Sequence, residues 1–361
     1  MGRNKKLDMK MKLKIFVFSL LVFQVSAKAQ DVFFTQFQYA PVNLNPGLAG
    51  CGKNNMRLSA VSKMQWFNLY KPFKYISAAL DYSTYDNSLR NIVNLGLTVD
   101  HSSKGYLSNT NISGVLGRSF GTDNYDCSNW YLSAAIKAGF NFGSVNPDNF
   151  LFIDQIDQTG ITGNASQIDL FNTHNSKTYF DMSSGAVLSW NDFMFGLAVH
   201  HLNEPNTSFT GKPEDGRLLR KYTGHVSWLY DLGDINVKAT AIAQFQGQSS
   251  MFTAGALFDF KEFPIELGCW YRNNTSFSYN NAISVGFTWK WGEATTVTSM
   301  KKEYANRIGI SYDAEINKPG LKTTFGSMEF GIQRDIIIGD GSSCPSSTSG
   351  VCSYRFPWEF F

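Results

Sequence analysis

The sequence predicts an all-β protein: a single transmembrane outer-membrane β-barrel of about fourteen antiparallel strands with an N-terminal periplasmic segment. Three observations predict it. Between Asn280 and Trp291, the residues Asn281, Ile283, Val285, Phe287, Trp289 and Trp291 alternate with Ala282, Ser284, Gly286, Thr288 and Lys290. Successive strand side chains point to opposite faces, so this segment carries an apolar face and a small, polar one. The pattern then recurs: Leu132, Ala134, Ile136, Ala138, Phe140 and Phe142 share one face against Ser133, Lys137 and Asn141, and 235–245 and 251–260 repeat the design. Finally, 17% charged residues against 15% aromatic, with 31 Gly, departs from a soluble chain, where about a quarter is charged. A slightly negative mean hydropathy excludes a helical membrane bundle. A soluble β-sandwich array would share the alternation, but a barrel alone reconciles lipid-facing alternate residues with a polar lumen.

Alternation and turn signals place the strands in order at 56–66, 72–83, 92–101, 109–120, 129–142, 178–190, 192–201, 220–231, 235–245, 251–260, 264–272, 280–291, 305–314 and 324–335. An even number puts both termini in the periplasm. Connection lengths then check the register, because such barrels have short periplasmic turns and longer outer loops. Asn191-Asp192, Leu232-Gly233-Asp234 and Lys261-Glu262-Phe263 fall at periplasmic turns, and 143–177 and 202–219 fall at outer loops. The connection 292–304 is long for its side. Trp190, Trp228, Tyr230, Trp289 and Trp291 fit an interfacial girdle; a sugar-binding stack is the alternative.

Outside the barrel, residues 1–29 read as a signal peptide: Lys5, Lys6, Lys10, Lys12 and Lys14, then an apolar run, then Ala27-Lys28-Ala29 as cleavage site. The mature chain is expected to begin at Gln30, with 30–55 as the periplasmic segment, 56–335 as the barrel and 336–361 as a periplasmic tail. No later stretch is long and apolar enough for a transmembrane helix. The net charge of +3, without a basic stripe, argues against nucleic acid as a partner.

Five cysteines in an exported chain suggest disulfides. Cys344 and Cys352 flank a short Ser-rich loop. Cys51 and the turn bearing Cys127 fall on the same side of the barrel, either bridged or as two unpaired thiols. Cys269 reads as a lone apolar residue. The five histidines show no metal-ligand spacing, and His200 and His201, adjacent in a strand, would face opposite ways. Neither a phosphate-binding glycine loop nor a nucleophile elbow is present. No cofactor, metal site or catalytic group is therefore expected.

Ahead of the first strand stand Gln30-Asp31-Val32-Phe33-Phe34-Thr35-Gln36-Phe37 and then Leu44-Asn45-Pro46-Gly47-Leu48-Ala49-Gly50. The second run is turn chemistry, with Pro setting φ and Gly accepting positive φ. An apolar, amide-bearing segment of this kind docks, either onto its own rim or onto another protein, and it is expected to pack against the periplasmic opening or to plug it. In sequence, Phe34, Gln36, Phe37, Asn45 and Pro46 resemble the mature N-terminal motif of the PorP/SprF family, outer-membrane proteins associated with type IX secretion. Further blocks are similar: Arg57 followed by Gln65-Trp66, Asp154-Gln155-Ile156-Asp157, 200–206, 267–272 and 309–313. The extension beyond the last strand departs from the family pattern.

The resemblance implies a non-enzymatic component that helps export or anchor a large surface adhesin through its C-terminal secretion domain, in company with other type IX secretion or periplasmic envelope proteins and the lipid bilayer. Asp154, Gln155 and Asp157 are the candidate partner-binding residues, placed to order the longest outer loop. A channel for small solutes remains the alternative. Small lumen-facing residues (Ser133, Ala135, Gly139, Ser284 and Gly286) need covering in a barrel too wide for its own side chains to fill. On the same reasoning Thr288→Arg, facing the lumen, is expected to be milder than Phe287→Arg or Ile136→Arg.

Overall fold

A computed structural model describes residues 31–51, 55–84, 92–121, 130–146, 155–157, 160–161, 175–209, 216–273, 281–293, 304–316, 320–336 and 360. The signal-peptide residues 1–29 lie outside this set. Among the described residues, fourteen strands close into one barrel. They are β1 (Met56–Gln65), β2 (Phe73–Ser83), β3 (Ile92–Lys104), β4 (Leu107–Gly121), β5 (Trp130–Val145), β6 (Ser176–Trp190), β7 (Phe193–His200), β8 (Lys221–Asp231), β9 (Ile235–Gln246), β10 (Ser249–Phe260), β11 (Ile265–Asn273), β12 (Ala282–Glu293), β13 (Tyr304–Glu315) and β14 (Ser327–Ile336). Each strand pairs antiparallel with its chain neighbours, and β1 closes on β14 with Met56 opposite Ile336 and Gln65 opposite Ser327. Closure leaves no edge, which is what a sheet surrounded by hydrocarbon requires.

All fourteen expected strands form, with differences at their ends. β3 and β4 run on to Lys104 and back from Leu107, leaving Gly105 and Tyr106 as the connection, with Gly105 at φ +68°. The expected ends at His101 and Asn109 fell short because Ser102, Ser103 and Ser108 break the apolar alternation. A ladder standing clear of the hydrocarbon has no need of it.

The two faces separate as read. Ile136, Phe140, Val285 and Phe287 point outward and are exposed, whereas Ser133, Ser284, Thr288 and Ser311 point inward and are buried. Trp190, Trp228, Tyr230, Trp289 and Trp291 are exposed on the outer wall, each near a strand end on the rim where β1 begins. Trp228 stacks on Phe193 at 6.0 Å and packs on Tyr230 at 5.3 Å. That rim is therefore marked as a membrane interface, the periplasmic one by the strand count.

The N-terminal segment takes one of the two placements expected of it: residues 33–51 plug the lumen rather than pack against its opening. Phe360, assigned with the tail to the periplasm, is 1% exposed and belongs to the buried cluster of the lumen. Apolar burial outweighs its position beyond the last strand.

Candidate functional site: the filled lumen

The N-terminal segment is a chain of short turns. Phe37–Tyr39 forms a single 3-10 turn, Pro41–Leu44 a four-residue helix with Pro at its start, and Pro46–Leu48 a second 3-10 turn. Asn45 joins the last two: its backbone is extended at φ −155°, and its Oδ1 accepts the Gly47 N–H at 2.8 Å. Proline supplies a pre-set φ and no N–H to satisfy, and the Asn side chain caps the turn that follows. The segment thus stays compact without a sheet partner.

Its contacts run round the whole wall. Thr35 and Gln36 meet β13 and β14, Tyr39 Oη lies 3.2 Å from Thr288 Oγ1 on β12, and Asn43 Nδ2 donates to Ser77 on β2 and Asp100 on β3. Lys137 on β5 donates to Asn43 Oδ1 at 2.8 Å. Asn45 Nδ2 donates to the Ala186 carbonyl on β6 at 3.0 Å and lies 3.2 Å from His225 Nε2 on β8. Only a segment inside the barrel can touch opposite walls at once.

Two ionic clusters hold its backbone. Glu329 accepts the N–H groups of Thr35 and Gln36, one on each oxygen, at 2.8 and 2.9 Å. Lys63 Nζ donates to Glu329 at 2.8 Å, Asp313 at 3.2 Å and the Phe33 carbonyl at 2.9 Å, and Arg272 Nη1 meets Asp313 at 3.1 Å. Two carboxylates thus face two cations, which keeps a buried cluster neutral while it reads main-chain donors and an acceptor. At the other end Arg57 pairs with Asp81 at 3.0 Å; Arg57 donates to the Leu48 carbonyl and Asp81 accepts the Gly50 N–H, both at 2.8 Å.

Glycines on the inner wall are sockets. A Cβ at Gly185 would stand 2.1 Å from Asn45 Oδ1, one at Gly331 2.3 Å from the Tyr39 ring, and one at Gly268 1.9 Å from the Trp270 ring. Side chains therefore lie flat on the sheet where a Cβ would lift them off. Ala135 is covered by Val42 and Ala49, and Gly286 by Trp270, which answers part of the expected need for cover.

The sequence-read residues divide accordingly. Phe34, Gln36, Phe37, Asn45 and Pro46 are all buried in the lumen. Asp154 lies outside the described residues, and Ile156–Asp157 pairs with Gly160–Ile161 in a two-rung ladder beside Gln155. Rather than bridging to Cys127, Cys51 holds a free, buried thiol 3.5 Å from the Gly47 carbonyl and 3.9 Å from Tyr131 Oη. Burial pushes this thiol up to about 11. Cys127, Cys344 and Cys352 lie outside the described residues.

β7 ends at His200, and His201 turns away with φ +56°, so the simple alternation used for this pair does not apply to it. His200 Nε2 lies 3.4 Å from the Leu44 carbonyl and His201 Nδ1 2.8 Å from Asp181. Among the described residues, no cluster of three or more His, Cys, Asp or Glu is placed to hold a metal ion. Sequence reading named Arg57 and Asp313 only within family blocks and missed Lys63, Asp81, Glu329 and Tyr39. Charge on the inner face was the visible signal of Lys63, Asp81 and Glu329.

A closed antiparallel barrel with an apolar outer wall, an aromatic rim and a lumen filled by the segment ahead of its first strand is a plugged transmembrane barrel of the outer-membrane type. The family model of the type IX secretion system membrane protein PorP/SprF matches residues 26–333, and the chain belongs to that family. It is thus an outer-membrane component of type IX secretion. No curated protein matches the chain. Among solved structures it is similar to the CymD monoaromatic hydrocarbon channel, at 8% identity over 86% of this chain and 95% of that one with a TM-score of 0.49. The toluene transporter TodX of P. putida (8%, 82% and 93%, 0.46) and Omp33 of Acinetobacter baumannii (8%, 78% and 96%, 0.39) are also similar.

Proposed function

We propose that the protein is a non-enzymatic docking component that helps export or anchor one large surface adhesin by engaging its C-terminal secretion domain. The observation that carries this reading is the filled lumen. A solute channel needs a continuous aqueous path, whereas here residues 33–51 are tied to strands on opposite walls by buried hydrogen bonds and ion pairs. Breaking such pairs is expensive because each leaves an uncompensated buried group. A barrel that spends its interior on its own chain presents its rims and outer loops to partners, and the loop bearing Asp154, Gln155 and Asp157 is the longest of these.

The test is deletion of residues 149–173 in the cell. The barrel is expected to assemble in the outer membrane while export or retention of its dedicated surface protein fails. Normal display of that adhesin by the deletion strain would overturn the docking reading.

A further inference from the structure

β14 leaves the wall at Ile336 on the periplasmic rim, yet Phe360 is 1% exposed inside the lumen. It shares a buried cluster with Phe37, Leu44 and Leu48 of the N-terminal segment, with Ile242 and Trp270 of the wall, and with Val187, Met194, Leu229 and Leu257, which point inward from β6, β7, β8 and β10. Each of these four stands within three residues of its strand end on that same rim. Much of the inner wall is built of small, polar and charged side chains such as Ser133, Thr223, Ser284 and Glu329, with apolar positions such as Val61, Val115, Ile242 and Trp270 among them. Four apolar residues at the mouth of the lumen need cover from water, which Phe360 shares with Phe37, Leu44 and Leu48, and lumen positions carry no lipid-facing reason to be apolar.

We propose that Val187, Met194, Leu229 and Leu257 form a seat for an aromatic side chain presented at the periplasmic mouth, and that Phe360 is its resident occupant. A buried aromatic ring removes roughly 150–250 Å² from water, on the scale of the patch it covers. The seat differs in kind from the N-terminal fastening. Residues 33–51 are held by directional hydrogen bonds and ion pairs in addition to the burial of Phe37, Leu44 and Leu48 in this cluster, whereas Phe360 is held through apolar burial, which is non-directional. One aromatic side chain can therefore replace another there without disturbing Asn45, Glu329 or Asp81. The ligand class of the seat is a Phe or Trp near the end of an extended chain.

The experiment uses the full-length protein folded in detergent micelles. In Phe361→Cys, which keeps the Phe360 ring, maleimide labelling of the new thiol is read by mass on the C-terminal peptide. Labelling is expected to be at least about tenfold slower in the folded barrel than in urea, the lower end of what burying the neighbouring Phe side chain supplies. Leu229→Trp, which fills the seat, is expected to bring the rate close to the unfolded value with the barrel still migrating as a folded band. Met194→Trp serves the same purpose if Leu229→Trp does not fold. Equal labelling of folded and unfolded Phe361→Cys, or full protection persisting in the filled-seat variants, would overturn the proposal. As a second readout, a labelled peptide of residues 355–361 is expected to bind full-length Phe360→Ala saturably by fluorescence anisotropy, and its own Phe360→Ala version is expected not to. Equal binding of the two peptides, or none by either, would equally count against the seat.

Discussion

Asn45 Nδ2 stands 3.2 Å from His225 Nε2, a contact that joins the N-terminal segment to β8 across 180 positions of chain. The same side chain donates to the Ala186 carbonyl at 3.0 Å and accepts the Gly47 N–H at 2.8 Å. With the Leu197 carbonyl on β7 at 3.3 Å, one amide thus folds its own turn and bolts that turn to three strands.

Replacing it tests the bolt. Asn45→Leu keeps the size and removes every one of these bonds, at about 1–3 kcal/mol for each buried group left unsatisfied. The strand ladder is untouched, so the folded band on unheated gels is expected to persist while ion conductance in planar bilayers rises. A variant as closed as the wild type would show that the segment is held elsewhere.

The glycine sockets give a matched pair of substitutions. A Cβ at Gly185 meets Asn45 Oδ1 at 2.1 Å, whereas one at Gly114 meets nothing within 4 Å. Gly185→Ala is expected to reproduce the leak of Asn45→Leu, and Gly114→Ala to be silent in the same conductance assay.

Charge on the outer wall acts through lipid. Phe287→Arg and Ile136→Arg are expected to cost about 2–4 kcal/mol near the midplane and to lower the amount of heat-resistant folded barrel. Thr288 faces inward as read, so Thr288→Arg is still expected to be milder for the barrel itself, but its hydroxyl lies against Tyr39 in the plug. An arginine there is expected to keep the folded band and to displace the plug, which conductance separates from the other two variants.

Lys63 bonds Glu329, Asp313 and the Phe33 carbonyl from a site 3% exposed. Lys63→Met strips a cation from two buried carboxylates and leaves Arg272 as the cation beside Asp313. The expected loss is about 3–5 kcal/mol, the range for breaking a buried ion pair from one side. The midpoint of urea unfolding in detergent measures it.

Cys51 reports on the plug chemically. Since burial raises its thiol to about 11, the reactive thiolate becomes the major form only above that pH. Alkylation at pH 8 is expected to miss Cys51 in the folded protein, to reach it after unfolding without reductant, and to speed up in Asn45→Leu. Mass mapping of the peptide gives the answer, and failure to alkylate the unfolded, unreduced chain would restore a disulfide.

How much of this was legible in the sequence follows from how local each signal is. Period-two alternation is imposed residue by residue by lipid on one side and lumen on the other, so Ile283, Val285, Phe287 and Trp289 announce both a strand and its outward face. Strand ends were less legible, because Ser102 and Ser103 continue the ladder where no lipid enforces the pattern. The family motif through Phe34, Gln36, Asn45 and Pro46 marked a docking segment, but left open whether it docks onto its own barrel or a partner.

Sequence by itself determined the wall: the number of strands, their direction and which side chains meet lipid. Tertiary structure alone decided what fills the lumen. Lys63 lies 250 positions from Asp313 and 266 from Glu329, and only closure of β1 on β14 brings the three together. Inward residues look alike in sequence, since Ser, Gly, Lys and Glu all satisfy a polar interior. Which of them grips Thr35, which glycine seats Asn45, and whether Phe360 returns to the mouth depend on register and curvature, which no local pattern encodes.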